Sequence, residues 1–329
     1  MLNENEKVVD ISSAYATKTE NYGNLILDAT VAPGDIKYPT DVNILNKSRE
    51  TLEKIVGKLH APDIGKKRIP RTYKEKARKD YLAIEKKRRK SKKIIRIAIK
   101  KQLSYVKRDL NYVKRYLKNT PERIELLTQV DLEKLETIKK VYEQQKYMYE
   151  SDVRKVKDRI VSLHQPYIRP IVRGKAGKKV EFGCKILTSV VDGYSFIEHM
   201  SFDNFNEGIY LKEAVTAYKT RFGYYPEAVM ADTIFRNREN NKWLKERNIR
   251  ISGPRLGRPP KDKEKLAARK KEVKKDSGIR NQVEASYGTA KRFFGLDLIK
   301  SKTKETSKTE IALQFLLLNL NKLSKLLSI

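Results

Sequence analysis

The sequence predicts an α/β protein, a mixed sheet flanked by helices, with a long helical insertion after the first strand. Three observations predict it. Two short apolar runs, LILD at 25–28 and AVMAD at 228–232, each end on an aspartate and read as buried strands. Between them, from about Thr40 to His164, apolar residues recur at spacings of three and four, the period of a helix. After that stretch, KVEFGCKILTSVVDGYSFIEHMSF places two apolar-rich runs around Asp192-Gly193, the strongest short signal for an antiparallel hairpin.

Each element follows in order. Residues 1–20 are polar and read as an irregular lead-in. GNLILDATVAP is a buried strand, with Ala32-Pro33-Gly34 as its stop. In the insertion, Ile99, Leu103, Val106, Leu110, Val113 and Leu117 form one helix, Asn119-Thr120-Pro121 breaks it, and Leu132, Leu135, Ile138, Tyr142 and Tyr149 form another. This is a helical hairpin with a basic arm. Between Lys66 and Lys101 there are 18 basic residues and three acidic ones, including KKRRKSKK at 86–93. A coiled-coil spacer accounts equally well for the hairpin, but less well for that imbalance. Beyond the β-hairpin, LKEAVTAYKTRFG is an amphipathic helix ended by Gly223, PEAVMAD a strand, RENNKWLKERN a helix and IRISG a strand. A basic, Pro-containing linker runs from Pro254 to Asp276 into the helix that bears Glu284. IALQFLLLNLNKLSKLL is a core-facing terminal helix. The domains expected are therefore 21–41 and 166–329 as two parts of one core, with 42–165 inserted between them.

Composition narrows the partners. Lys and Arg number 73 against 41 Asp and Glu, a formal net charge of +32 with a pI near 9.9. Such an excess favours nucleic acid first and an anionic membrane second. No run of about 18 apolar residues exists, and the polar N-terminus lacks a signal-peptide stretch. Cys184 is the only cysteine, which excludes an internal disulfide and a cysteine-rich zinc site. His60, His164 and His199 show no ligand-like spacing. Any metal would then be held by carboxylates, which favour Mg²⁺ or Mn²⁺. The compartment expected is the cytoplasm.

Asp28, Asp232 and Glu284 are the candidate catalytic and metal-ligating residues. A carboxylate at the end of a buried strand is costly unless it binds something. Taken singly, each has a plain explanation: Asp favours turns and helix caps, and a helical Glu is usually solvated. Taken together on separate elements, they suit a pair of cations about 3.5–4 Å apart, one lowering the pKa of an attacking water or hydroxyl and the other stabilising a leaving oxygen. At about 100° per residue, Arg280, Glu284 and Lys291 fall within roughly 40° of one another, with Tyr287 beside them. One helix face thus presents an acid flanked by two cations. Acids on the first strand, the fourth strand and a late helix follow the RNase H-like plan.

These residues also carry a family resemblance. The sequence resembles bacterial insertion-sequence transposases of the DDE superfamily, in the group with a YREK signature around the catalytic Glu. Arg280, Glu284 and Lys291 stand at the signature's spacing, while Ser277 occupies the position of its Tyr. The second motif appears as DTIF, in which Phe235 fits and Ile234 replaces a residue that is commonly small. LILDATVAPGDIKYPTD, QPYIRPIVRGKAGKKVEFG and GPRLGRP resemble members of the group as well. The resemblance implies Asp28, Asp232 and Glu284 as ligands of two Mg²⁺ or Mn²⁺ ions, and DNA as substrate, both transposon inverted repeats and target. It implies Arg280 and Lys291 as phosphate contacts, with Lys86, Lys87, Arg88, Arg89 and Lys90 of the arm and Arg255 and Arg258 of the linker as further basic candidates. It also implies a homodimer on paired DNA ends and a nucleoid-associated enzyme. Family members often carry an N-terminal DNA-binding domain; with 27 residues before Asp28 that domain is expected to be absent, the chain being either a truncated copy or one half of a split reading frame whose upstream-encoded half would supply it. The alternatives are a non-catalytic DNA-binding remnant and a stand-alone nuclease on the same core. GPRLGRPPK at 253–261 partly resembles a minor-groove hook, although a solvated basic linker explains it better. Trp243, Tyr73 and Tyr81 are candidates for base stacking, with packing the commoner role.

Overall fold

A computed structural model describes residues 20–172, 180–254 and 262–327. The chain divides into two compact units: one holds the chain up to Asp35 and from Ile171 onward, the other runs from Ile36 to Pro170.

The first unit is built on a mixed sheet. Its strands are Asn24–Pro33 (β1), Arg169–Val172 (β2), Val180–Val191 (β3), Tyr194–Ser201 (β4), Ala228–Met230 (β5) and Arg250–Ile251 (β6). The spatial order is β2-β3-β1-β5-β6, with β4 also paired to β3. β1 is antiparallel to β3 and parallel to β5, β3 is antiparallel to β4, and β5 is parallel to β6. β1 lies in the middle, so Leu25, Ile26, Leu27, Val31 and Ala32 are all buried and the strand reads as a continuous apolar run. β3 and β4 join through Asp192 (φ 49°) and Gly193 (φ 77°), the doubly positive turn that matches strand twist.

Four helices complete this unit among the described residues. They are here labelled after those of the second unit, as α5 (Leu211–Phe222), α6 (Arg238–Lys245), α7 (Lys263–Phe293) and α8 (Lys304–Leu327). Gly223 ends α5 at φ 84°, its N–H returning to the Lys219 carbonyl. Leu211, Ala214, Val215 and Tyr218 of α5 and Leu244 of α6 pack with Leu25, Leu27, Leu187 and Val229 into one core.

Two expectations are corrected here. The segment read as a linker to Asp276 is helical from Lys263, with the Asp262 side chain accepting from Glu264 and Lys265 N–H groups. Its Lys, Glu, Ala and Leu residues are strong helix formers, and the prolines behind the linker reading, Pro254, Pro259 and Pro260, all precede Lys263. Ser277 and Gly278 consequently lie inside α7. The helix is anchored where it passes β6: Arg250 donates to both carboxylate oxygens of buried Asp276, at 2.7 and 2.9 Å. The terminal helix α8 is only half core-facing. It buries Ile311, Phe315 and Leu318 on one side and leaves Leu313, Leu316 and Leu320 exposed on the other.

The second unit is a helical bundle of α1 (Asp41–His60), α2 (Lys74–Glu85), α3 (Lys92–Asn119) and α4 (Gln129–Glu150), rather than a two-helix hairpin. α1 contributes as much core as the predicted pair: Ile44, Leu45, Leu52, Ile55, Val56 and Leu59 pack with Leu103, Val106, Val113, Leu135, Ile138 and Val141. The Thr40, Ser91 and Thr128 side chains cap α1, α3 and α4. Five of the arm's basic residues, Lys86–Lys90, form the exposed turn between α2 and α3, and others lie on those two helices.

Candidate active site

Strand register aligns the two aspartates. Ile26 of β1 lies beside Met230 of its parallel neighbour β5, the last pair between them. Asp28 and Asp232 each follow two residues later, at one level and, on β1, facing as Ile26 does. Asp28 is not at the end of its strand, as the sequence suggested. It sits mid-strand, paired with Thr188 of β3, at the point where β5 stops. There the sheet opens on one side, and a half-buried carboxylate reaches solvent from an otherwise buried strand.

The Asp28 Oδ1 accepts the N–H of Ala29 at 2.8 Å. Asp232 is exposed, and its Oδ1 accepts the Thr233 N–H at 2.6 Å, capping the single turn Thr233–Phe235. The sequence offered Asp232 as a cap for the helix that follows, but Asn237 caps that helix and Asp232 caps only this turn, its Oδ2 lying outside that bond.

α7 brings the third acid. Val283, Tyr287 and Ala290 form its buried stripe, packed towards β1, β3 and β5. Glu284, one residue from Val283, stands on the flank of that stripe and is exposed. Tyr287, one turn further on, sets the helix's position. Its hydroxyl lies 2.7 Å from the Asp28 carbonyl oxygen, to which it donates, and 2.6 Å from the Thr188 Oγ1. The helix carrying Glu284 is thereby pinned to the residue bearing the first acid.

Asp28, Asp232 and Glu284 line one open cleft of about 740 Å³, together with Arg280, Lys185 and Glu207. Arg280 Nη1 lies 3.6 Å from Asp232 Oδ1. Lys291 lies two turns beyond Glu284's own, outside the residues that line the cleft. Lys185 is a group the sequence reading missed. It is 9% exposed, and its ammonium meets the Glu207 carboxylate at 2.7 Å, the Phe205 carbonyl at 2.6 Å and the Asn204 amide oxygen at 3.2 Å. The signal was a lone charge inside the apolar run GCKILTSVV. The cleft wall is tied by Asn240, whose amide donates to the carbonyls of Gly208 and Phe235. Gly208 approaches so closely that a Cβ there would lie 2.5 Å from the Ile234 carbonyl oxygen.

The donor set is three carboxylates without His or Cys, the kind suited to a hard cation. Among the described residues, no three His, Cys, Asp or Glu side chains stand close enough to hold one ion. The acids thus fit such a cation in chemistry and share a cleft, but are splayed, with Asp232 turned towards Arg280.

Other candidate residues lie elsewhere. Lys86, Lys87, Arg88, Arg89 and Lys90 belong to the helical unit, while Arg255 and Arg258, with most of the hook-like segment, fall outside the described residues. Trp243 packs against the sheet's core, with the Arg247 guanidinium 3.9 Å from its ring centroid. The Tyr81 hydroxyl accepts from the Asn43 amide at 2.8 Å, whereas Tyr73 is 51% exposed. His199 stacks on Tyr210 at 3.9 Å, and burial lowers its pKa. No described helix is long and apolar enough to cross a membrane.

Comparison with known families adds one finding. Residues 229–321, which contain all of β5 but its first residue, Asp232, α7 and Glu284, match the family model described as "Transposase DDE domain". The match spans less than a third of the chain and does not reach Asp28. No curated protein and no solved structure matches the chain. The match supports a DDE-type transposase, and with it a DNA substrate.

Proposed function

With a transposase DDE-domain match as the starting point, we propose that the chain cuts DNA at transposon ends and joins the freed 3′ hydroxyl to target DNA. One observation carries the reading: three acids from β1, the end of β5 and α7, separated by up to 256 residues, line a single cleft. Asp28, Asp232 and Glu284 are the residues that would hold Mg²⁺ or Mn²⁺, as two ions. When bound, the metal supplies Lewis acidity to the attacking and leaving oxygens of an in-line displacement.

The chain's own residues have distinct tasks in this reading. Glu284 approaches the aspartates because Tyr287 holds α7 against the Asp28 carbonyl. Arg280, which neutralises Asp232 without DNA, is positioned to meet a phosphate oxygen instead, and Lys291 would extend that contact along the helix. The buried Lys185–Glu207 pair keeps the cleft wall rigid. Strand cleavage leaves a 3′ hydroxyl, and its attack on a second phosphodiester makes one bond as another breaks, with no covalent enzyme intermediate. An RNase H-like core is supported by the order β4-β3-β1-β5-β6, with only β3 running against its neighbours.

The experiment is strand cleavage and joining with Mn²⁺ on the element's own terminal repeats. Asp28→Ala, Asp232→Ala and Glu284→Ala are each expected to abolish both steps while leaving DNA binding in place. Cleavage that survives Asp232→Ala would sink the assignment. Hydrolysis without joining would indicate the stand-alone nuclease, and function indifferent to metal would indicate the DNA-binding remnant.

A further inference from the structure

The C-terminal helix α8 has two apolar faces and buries one. Ile311, Gln314, Phe315 and Leu318 are buried towards the sheet. Asn319 clamps β4 beside them, accepting from the Ser195 N–H and donating to the Ser195 carbonyl, both at 2.8 Å. On the opposite face, Leu313, Leu316, Leu320, Leu323 and Leu327 are 53%, 51%, 49%, 42% and 79% exposed. Their spacing of three, four, three and four is the a/d pattern by which helices pair along a seam. Leu317 and Leu326 widen the stripe, at 48% and 55% exposed.

We propose that a second copy of this chain docks on this stripe, two α8 helices pairing along their leucines. The charge pattern argues for a self-complementary partner. In a chain that is 35% charged, every position flanking the seam between Ala312 and Leu327 is uncharged: Ala312, Leu317, Asn319, Ser324 and Leu326. Lys308, Lys322 and Lys325 lie on the half of the helix that faces the sheet. Lys322 there donates to the Asp192 carbonyl and covers the Tyr194 ring at 4.4 Å. Two copies of a molecule with net charge +32 repel each other, and this face is where they can meet without opposing lysines. An acidic partner would find no cation along the seam to recognise.

Area points the same way. Seven half-exposed leucines form a patch on the order of 500 Å², at the upper end of what a monomer leaves contiguous. Doubled across a two-fold axis, it reaches roughly the 1,000 Å² that a specific interface needs. The helix is already ordered by its packing on the sheet, so pairing does not have to meet the cost of forming it. This inference rests on the leucine spacing and not on the DNA-cutting reading, so either can fail alone.

The test is the solution mass of the nuclease-treated full chain, measured by light scattering at micromolar concentration and in rising salt. A dimer is expected, favoured as salt reaches about 0.5 M because the repulsion is screened. Association bridged by residual nucleic acid would weaken over the same range. Leu316→Lys combined with Leu320→Lys is expected to halve the mass with the helical circular dichroism unchanged. Should that variant lose its fold, Leu320→Cys decides: under mild oxidation it is expected to cross-link two copies. Cys184 will not interfere, because it is fully buried and burial pushes its thiol up to about 12. A wild-type monomer, whether or not it then sediments with anionic vesicles, overturns the proposal. So does Leu320→Cys that fails to cross-link.

Discussion

Tyr287 joins two parts of the site that lie 259 residues apart in sequence, through one hydroxyl between the Asp28 carbonyl and the Thr188 side chain. It touches no reacting atom in the proposed chemistry, so it acts by position. Tyr287→Phe keeps the buried ring and removes the hydroxyl, with its bonds to the Asp28 carbonyl and the Thr188 side chain. It is expected to lower the apparent affinity for Mn²⁺ by about tenfold, the scale at which outer-shell partners tune a metal site. Activity should largely return at saturating metal, with thermal stability little changed. Activity that falls equally at all metal concentrations would assign Tyr287 some other role. Lys185 belongs to the same category of support. A lysine this buried is held by its carboxylate and carbonyl partners, and its loss would leave Glu207 unpaired at the cleft wall.

Helix ends show how local chemistry sets element boundaries. α4 starts with a reciprocal pair: Asp131 N–H donates to Thr128 Oγ1, and Thr128 N–H donates back to Asp131 Oδ2 at 3.0 Å. The Lys58 ammonium of α1 bonds the same carboxylate. With the cap it holds Asp131 well below its ordinary 3.8, at about 2. A carboxyl whose folded pKa is depressed stabilises the fold above its unfolded pKa and loses that contribution as pH falls through the folded value. The stabilisation from Asp131 is therefore complete above 3.8 and lost on the way to about 2. Thermal melts of wild type and Asp131→Asn should differ at about pH 5 and converge as pH falls through that window. A gap that stays constant would show that the charge is irrelevant to the cap. α7 starts in the same local way: the Asp262 side chain accepts from the Glu264 and Lys265 N–H groups, and strong helix formers carry the helix to Asp276, where Arg250 ties it to β6.

For the molecule as a whole, the excess of positive charge dominates behaviour towards DNA. Each phosphate neutralised releases condensed counterions, so affinity should fall linearly with salt on logarithmic axes. The exposed turn Lys86–Lys90 concentrates five of these charges at a loop tip. Replacing all five with Ala is expected to reduce the slope of log affinity against log salt by roughly four, if each meets a phosphate. Folding should be unaffected, because the turn contributes nothing to the bundle core. A slope that does not change would place the DNA on other basic surfaces.

Local patterning was enough to read the β1 run, the Asp192-Gly193 hairpin, the Gly223 stop and the break at Thr120-Pro121. Each depends on side-chain periodicity or backbone preference within a few residues, and such preferences are carried by the chain itself. The same reading misplaced Asp28 at a strand end, took 263–276 for linker, saw two helices where a bundle stands, and gave α8 one apolar face to bury. Three of the four depend on partners far away in sequence; the exception is 263–276, whose Asp262 cap and strong helix formers are local. Asp28 reaches solvent because β5 stops beside it. α1 completes a core that the two predicted helices lack. Periodicity shows that a residue is apolar or charged; it does not say which face of an element will be covered. That is settled when strands take their register and helices find a surface, and here it determined that three acids would share a cleft while a row of leucines stayed outside.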